Sequence, residues 1–242
     1  MARRNLGDVL HYFISEEEQE EARSAARSRA QQPPTRAPRY CLPADPERPL
    51  ACTLALELAG GMAAELGSAR VLAAFPPSPL LPRVPGVRWE VSSDLALALA
   101  AAASDEPLIA VERPDQLGAL LGRVPADALD GIVLSVEAAT WGLARTLGFL
   151  RVLAPALEGR RVLGLVVGAQ TPAAAAELGA RLTGAARRQH GIEIERLGEL
   201  TRDAESYRTL LRGESLHALG EGSETAQSLR TLCQRLSARH AA

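Results

Sequence analysis

The sequence of 242 residues contains no lysine, and all 27 residues counted as Lys+Arg are arginine. Any chemistry that needs a lysine ammonium is therefore excluded, including Schiff-base catalysis and the lysine that grips a phosphate in nucleotide-binding loops. The formal net charge is only −2, so long-range attraction to nucleic acid or to anionic lipid is not expected.

Cysteine and long apolar runs are also scarce. Cys41, Cys52 and Cys233 show no CxxC spacing, which indicates neither a zinc site nor a disulfide framework and predicts reduced thiols in a cytoplasmic protein. No run approaches the ~18 uninterrupted apolar residues of a membrane span. The apolar patch near the N-terminus is short and contains Asp8 and His11, so a signal peptide is not expected.

The first 38 residues predict a tethered peptide in front of a globular domain. Residues 1–14 carry an amphipathic pattern that predicts a helix capped by Asn5. Residues 15–38 are acidic, then mixed, then proline-containing, with almost no large apolar side chain. They predict a helical extension or a solvated linker, and the α/β domain is expected to cover residues 39–242.

The apolar side chains of the N-terminal helix are candidate partner-binding residues. They are Leu6, Val9, Leu10, Tyr12, Phe13 and Ile14. An isolated helix of about ten residues is marginal in water, so it is expected either to fold back on its own domain or to dock in a groove of a partner. Weak binding to a membrane surface is a third option, against which the acidic run from Glu16 to Glu21 argues.

From Arg39 onward, strand and helix patterns alternate, which is typical of an α/β fold with a parallel sheet. Strands are predicted at "RYCLPA", "ARVLAAF", "VRWEV", "PLIAVE", "DGIVLSVE", "RRVLGLVVGA" and "IEIERLGEL". Helices are predicted at "LACTLALELAGGMAAEL", "SDLALALAAAAS", "ATWGLARTLGFLRVL", "TPAAAAELGARLTGAARRQ" and "ETAQSLRTLCQRLSARH". The expected architecture has three layers, with helices on both faces of a mostly parallel twisted sheet.

The order and spacing of these segments resemble the MinD/ParA family of deviant P-loop ATPases, in particular its FlhG-like members, over residues 39–240. The similar segments are "ADALDGIVLSVEAATWGLARTLGFLRVL", "RRVLGLVVGAQTP", "LGELTRDAESYRTLLRGESLHAL" and "SETAQSLRTLCQRL". The resemblance implies a P-loop NTPase-like fold. It also implies that the helix from Thr140 to Leu153 carries the surface where such proteins dock their spatial regulators. An unrelated Rossmann-like arrangement is the alternative.

The same resemblance places a degenerate phosphate loop at "PADPERPLACTLALELAG", residues 43–60. Glycine positions of the family hold Glu47, Arg48 and Leu50, and Pro46 stands at the signature lysine. At the phosphate-gripping lysine the sequence has Ala51. A phosphate cradle needs glycines whose N–H groups converge on the anion and a lysine that neutralises it, so this loop is not expected to hold a nucleotide.

Other nucleotide positions implied by the resemblance are altered as well. Cys52 replaces the first hydroxyl that would hold Mg²⁺, whereas Thr53 keeps the second. Phe75 follows the strand that should end in a water-ordering acid, and Gly168 stands at the adenine-reading asparagine. Glu112 takes the place of the second Walker aspartate and is the mildest change.

These positions predict a catalytically inactive pseudo-ATPase with no catalytic residue, no cofactor and no metal. The expected role is that of an adaptor, scaffold or placement factor for a bacterial cell-envelope or motility machine. Its partners are expected to be proteins, including a second copy or an active family member, and no nucleic acid. The predicted location is the cytoplasm, with recruitment to the inner membrane face by a partner as an option.

Two other functions stay open at this point. The old crevice can serve an enzyme or a small-ligand binder that uses Glu112, although this glutamate is more simply expected to pair with Arg113 or Arg48. A ParA-like DNA-associated partition protein is the second alternative, and it requires a basic stripe. The histidines, which include His217, are expected at the surface.

Overall fold

The computed structural model of the protein describes residues 36–47, 49–103, 105–201, 203–220 and 222–238. The predicted N-terminal helix lies outside the described residues, as do residues 15–35 of the predicted linker and Arg48. The same holds for the candidate partner-binding residues Leu6, Val9, Leu10, Tyr12, Phe13 and Ile14.

Within the described residues, seven strands form one parallel sheet. The strands are β1 (Arg39–Pro43), β2 (Ala69–Ala73), β3 (Val87–Val91), β4 (Leu108–Glu112), β5 (Gly131–Glu137), β6 (Val162–Ala169) and β7 (Ile194–Thr201). Their order across the sheet is β3-β2-β4-β1-β5-β6-β7. The predicted parallel sheet with α/β alternation is confirmed.

Seven α-helices accompany these strands in the described part of the chain. They are α1 (Pro49–Leu66), α2 (Leu95–Ala101), α3 (Leu117–Arg123), α4 (Gly142–Leu157), α5 (Pro172–His190), α6 (Ala204–Leu211) and α7 (Glu224–Ala238). The sequence patterns did not predict α3 and α6, which have only seven and eight residues. Such short helices show at most two turns of periodicity, and α3 also contains two glycines, which are poor helix formers.

The helices cover the sheet on both faces. One hydrophobic cluster joins α1 and α7 to one face, and a second joins α2, α3, α4 and α5 to the other. The strands β1 and β4 at the centre are buried almost along their whole length, as expected for parallel strands that helices cover on both faces. The predicted three-layer architecture is thus confirmed.

Close packing of α1 on α7 depends on a glycine. A Cβ atom at Gly61 would lie 2.0 Å from the Cys233 Sγ atom, so only glycine lets α7 approach this closely. The Tyr40 hydroxyl of β1 reaches across the same interface and donates to the Leu236 carbonyl at 2.7 Å. The interface fixes α7 beside α1, which positions the site described below.

The described chain is attached to the amino edge of the sheet from residue 36 onward. The Arg36 guanidinium donates to the Asp127 carbonyl at 2.8 Å and forms an ion pair of 2.5 Å with Asp130. Asp130 also accepts a hydrogen bond from the Arg39 N–H at 2.6 Å. Arg36 therefore lies at the edge opposite to the carboxyl ends of the strands.

Candidate functional site

The carboxyl ends of the strands meet the start of α1 at one edge of the sheet. From β1 the chain builds β2, β3 and β4 on one side and then β5, β6 and β7 on the other, so the strand order reverses at β1. Open α/β sheets bind their ligands at such a switch point. The carboxyl edge around β1 is therefore the candidate site.

Two backbone N–H groups of the loop between β1 and α1 already donate hydrogen bonds within the protein. The Ala44 N–H donates to the Glu112 carbonyl at 2.9 Å, and the Glu47 N–H donates to the Asp45 carboxylate at 2.9 Å. No described residue of the loop has a positive φ. A phosphate-binding nest needs right- and left-handed backbone in succession so that free N–H groups converge. The described part of the loop does not have this geometry.

Three of the predicted positions lie in the first turn of α1. Ala51 is half-buried, whereas Cys52 and Thr53 are buried. Burial raises the pKa of the Cys52 thiol to about 11, and the nearby Asp45 adds to the rise. The thiol is therefore neutral at pH 7, and a neutral thiol is a poor metal ligand.

Glu112 ends β4 and lies opposite Pro43 of β1. Burial raises the pKa of Glu112, the hydrogen bond from the Arg113 N–H opposes this rise, and the Asp115 carboxylate adds to it. The donor in that contact, at 2.8 Å, is the backbone of Arg113. The charge of Arg113 also opposes the rise, so Arg113 acts on Glu112 through both its backbone N–H and its charge.

A cavity of about 330 Å³ opens in the other half of the edge, at the ends of β5, β6 and β7. Most of its lining surface is apolar and comes from α1, the ends of β5, β6 and β7, α6 and the turn before α7. The aliphatic residues include Leu50, Leu54, Val167, Leu200, Leu210 and Leu216. Of the predicted positions, Thr53 and Gly168 line the cavity, whereas Ala51, Cys52 and Glu112 do not.

Phe75, a further predicted position, lies apart from both features. It follows β2, is buried, and packs against Trp89 of β3 with ring centroids 6.3 Å apart. The Trp89 indole N–H donates to the Phe75 carbonyl at 3.3 Å. Phe75 is therefore a core residue at the position where the resemblance implies a water-ordering acid.

Among the described residues that line the cavity, the charged ones are the carboxylates Glu57, Glu137 and Asp203. The Arg145 guanidinium lies 4.0 Å from Glu137, a long contact between partly exposed groups that contributes little. The lining thus combines aliphatic walls with negative charge.

Glu57 is fully buried and is held by the turn that precedes α7. Its carboxylate accepts hydrogen bonds from the Ser215 hydroxyl at 2.8 Å and from the Leu216 N–H at 3.0 Å. Burial raises the pKa of Glu57, and these hydrogen bonds oppose the rise. The His217 Nε2 atom lies 2.7 Å from the Glu57 carbonyl. Because a carbonyl can only accept, Nε2 carries the hydrogen and donates it.

A second polar group at the cavity wall is the cap of α6. Asp203 accepts from the Ser206 N–H at 2.6 Å and contacts the Thr225 hydroxyl. The Ser206 hydroxyl also donates to the Thr225 hydroxyl at 2.9 Å. Burial alone would raise the pKa of Asp203, but the hydrogen bonds from Ser206 and Thr225 outweigh it and hold the pKa below its usual value.

Sequence reasoning did not find Glu57, and it assigned no role to Asp203. A usable signal exists for Glu57, since a glutamate inside the apolar run "LALELAG" is buried only when it has partners. The prediction of a surface position is wrong for His217, whose side chain is only 24% exposed and contacts α1. Its partner, the Glu57 carbonyl, is 160 residues away in sequence, so a local sequence pattern cannot predict the contact.

Solved structures similar to this one share its architecture. A ParA family ATPase from Chlorobium tepidum TLS matches with a TM-score of 0.56 at 14% identity, over 81% of this chain and 98% of that one. The Pyrococcus furiosus cell division ATPase MinD matches with a TM-score of 0.55 at 11% identity, over 81% and 97%. MinD in the MinC:MinD cell division protein complex of Aquifex aeolicus matches with a TM-score of 0.53 at 14% identity, over 83% and 95%.

The described domain thus has the MinD/ParA-like fold of the P-loop NTPases. No protein-family model matches the sequence, and no curated protein matches it significantly. At identities of 11–14%, the likeness establishes the fold, and the chemistry has to be argued from the site.

No described helix combines the length and the apolar character needed to cross a membrane. Among the same residues, no group of three or more His, Cys, Asp or Glu side chains is arranged to hold a metal ion.

Proposed function

We propose that this protein is a MinD/ParA-like pseudo-ATPase that acts as an adaptor, scaffold or placement factor for a bacterial cell-envelope or motility machine. The observation that carries the proposal is the loop between β1 and α1. Its Glu47 N–H is already bonded to Asp45, and its described residues lack the left-handed backbone of a phosphate nest. The sequence also has no lysine with which to neutralise a phosphate.

The charges near this loop support the same proposal. Among the described residues, the loop and the adjoining end of β4 carry four carboxylates, those of Asp45, Glu47, Glu112 and Asp115, and one guanidinium, that of Arg113. A polyphosphate placed there meets more negative than positive charge on these residues, and the Coulomb repulsion between like charges at short range disfavours binding.

Protein partners are the proposed ligands. The solved Aquifex aeolicus MinD in a complex with MinC supports a protein-binding role for this fold. On this chain, α4 and the residue before it expose Val152 at 78% and Trp141 at 72%. Together with the apolar residues between 6 and 14, they are the proposed contact surfaces. The proposal includes a cytoplasmic location, recruitment to the inner membrane face by a partner, and pairing with a second copy or with an active family member.

The direct test is isothermal titration of the full chain with Mg-ATP and, separately, with Mg-ADP. We expect no saturable heat up to millimolar nucleotide. A matched variant, Ala51→Lys, supplies the missing cation. It is also expected to give no saturable heat, because the loop still lacks convergent N–H groups. Saturable micromolar binding by the natural chain would falsify the pseudo-ATPase proposal. Binding by the variant alone would show that the loop is a competent cradle that lacks only charge.

The adaptor part needs its own test. Val152→Glu places a charge on the proposed surface of α4, and Leu97→Glu on α2 is its control, since Leu97 is also exposed, at 67%. Quantitative affinity capture from cells that express each variant should show partners lost with Val152→Glu and kept with Leu97→Glu. Equal capture by both variants would exclude this face of α4.

The alternative of an enzyme built on Glu112 is not favoured by the geometry. Such an enzyme needs its carboxylate in a polar pocket, but the cavity is mostly aliphatic and Glu112 is not part of its lining.

A further inference from the structure

Exposed apolar side chains cluster at the mouth of the cavity. Leu50, Trp141, Tyr207 and Leu211 are 41%, 72%, 53% and 69% exposed. Leu50 and Tyr207 line the cavity itself. Trp141 lies two residues after the lining Ala139, and Leu211 follows the lining Leu210 and lies one helical turn from Tyr207. Single exposed apolar residues are ordinary, whereas a group of them around an apolar cavity marks a binding surface.

The charge of the lining restricts what can bind there. Among its described residues the charged ones are the carboxylates Glu57, Glu137 and Asp203, and these disfavour an anionic ligand. The walls offer mainly aliphatic surface, and burial of apolar surface is the main favourable term available. The occupant is therefore expected to present large apolar side chains flanked by neutral or positive groups.

The N-terminal segment of this chain has that composition. Its large apolar residues fall between Leu6 and Ile14, and Arg3 and Arg4 stand just before them. With Asp8 as the only acidic residue, positions 1–14 carry a formal charge of 2 − 1 = +1 when histidine is neutral. The acidic run begins only after this segment, so its carboxylates need not approach the cavity.

The connection is long enough for the segment to reach the cavity. Residues 15–35, which number 35 − 14 = 21, lead to Arg36 at the amino edge of the sheet. Twenty-one residues span up to ~70 Å when extended. The sheet is much shorter along its strands, because the seven residues of β5 rise only ~23 Å. A tether of this length also gives the segment an effective concentration in about the millimolar range.

We propose that the apolar side chains of residues 6–14 occupy the cavity at the ends of β5, β6 and β7 within the same chain. The segment and the cavity then cover each other's apolar surface until a partner displaces one of them. The displacement step rests on the proposed adaptor function, whereas the docking itself does not. A result in which Mg-ATP binds would therefore reject the pseudo-ATPase without touching the docking.

The first test is disulfide trapping in the full chain. Phe13→Cys is combined with Tyr207→Cys at the mouth of the cavity. The control combines Phe13→Cys with Leu97→Cys, which is equally accessible but lies on the opposite face of the sheet. The native thiols do not compete, because Cys41, Cys52 and Cys233 are buried.

Under mild oxidation we expect the Phe13–Tyr207 pair to cross-link within one chain at least about tenfold faster than the control pair. Mixing isotope-labelled and unlabelled protein, followed by mass spectrometry of the linked peptides, tells one chain from two. Equal rates for the two pairs, or links found only between chains, would overturn the proposal.

The second test follows Trp141 in a Trp89→Phe background, where it is the sole tryptophan. Leu10→Asp together with Phe13→Asp should expose it, which increases acrylamide quenching about two- to threefold and shifts the emission to the red. Ala25→Asp together with Ala26→Asp adds the same charge within the connection and should change neither. If both double variants quench like the parent, Trp141 is not covered by the segment and the proposal is wrong.

Discussion

The two halves of the carboxyl edge differ in how many hydrogen bonds their buried carboxylates accept. At β4, Glu112 is buried and has one donor among the described residues, the Arg113 N–H, while the nearby Asp115 adds to the rise of its pKa. At the cavity beyond β5, Glu57 receives two hydrogen bonds from the turn before α7, and Asp203 is held by Ser206 and Thr225. The residue type is the same, but the number of donors differs.

This difference decides what removal of each group does. A buried carboxylate with several dedicated donors leaves them unsatisfied when it is deleted, which is expensive. A buried carboxylate with few donors is itself poorly compensated, so its neutralisation relieves the folded state. Glu57 and Asp203 are therefore expected to stabilise the folded state, whereas the charged form of Glu112 is expected to destabilise it.

Glu57→Ala should give the largest effect. It leaves the Ser215 hydroxyl and the Leu216 N–H without their acceptor in a buried place, which should lower the free energy of unfolding by about 3 kcal/mol. Urea denaturation measures the loss, with the exposed Glu47→Ala as a control expected within about 0.5 kcal/mol. Glu57→Gln keeps an acceptor and should cost only about 1 kcal/mol. Equal costs for the Ala and Gln variants would refute the role of the donors.

A matched pair of glycines tests the turn that carries the rim of the cavity. A Cβ atom at Gly142 would lie 1.9 Å from the Glu137 carbonyl oxygen, whereas one at Gly148 of the same helix meets nothing within 4 Å. Gly142→Ala should therefore cost about 2 kcal/mol, and Gly148→Ala should stabilise the chain by about 0.5–1 kcal/mol. Thermal unfolding of both variants measures the contrast, and shifts of the same sign would contradict the close approach.

Asp203→Ala should cost about 1–2 kcal/mol, because it removes the N-cap of α6 and the acceptor for Thr225. Asp203→Ser keeps a shorter cap and should recover about half of the loss. Chemical denaturation of the three chains measures this series. If the serine variant is no better than alanine, the cap is not the source of the stability.

The smallest expected effect is the pH dependence of stability, which separates Glu112 from Asp203. The pKa of Glu112 is raised in the folded state, so its contribution to stability is present at acidic pH and is lost as the pH rises through that pKa. The lowered pKa of Asp203 has the opposite sign, since its contribution is present near neutral pH and is lost as the pH falls.

Glu112→Gln should therefore gain stability relative to the natural chain as the pH rises above the ordinary carboxyl value of 4.5. Asp203→Asn should fall behind the natural chain as the pH rises toward the ordinary aspartate value of 3.8, and its deficit should stay constant above that value. Urea midpoints at several pH values between acidic and neutral conditions measure both trends. Parallel curves for the two variants would mean that Glu112 and Asp203 do not differ in the sign of their contributions.

Much of the fold was predictable because it depends on local patterns. Alternating apolar segments predicted the parallel sheet, and the limits of α1 were predicted within one residue of Pro49–Leu66. The family resemblance implied the positions of Thr53 and Gly168, which line the cavity at the carboxyl edge. The short α3 escaped prediction, because seven residues hold too little periodicity.

The cavity could not be predicted, because its walls come from distant parts of the chain. Glu57 and Ser215 are 158 residues apart, and only the packing of α7 on α1 brings them together. The backbone conformation of the loop after β1 could not be predicted either, because the φ angles of a loop depend on its tertiary contacts.

The sequence by itself determined what the protein lacks, because composition is complete without a structure: no lysine can neutralise a phosphate anywhere in these 242 residues. It also determined the α/β class, because apolar periodicity is a local property of the chain. Only the tertiary structure decided that Glu112 is buried in one half of the edge and that the other half opens into an apolar cavity. Which side chains share a wall depends on contacts between elements far apart in the chain.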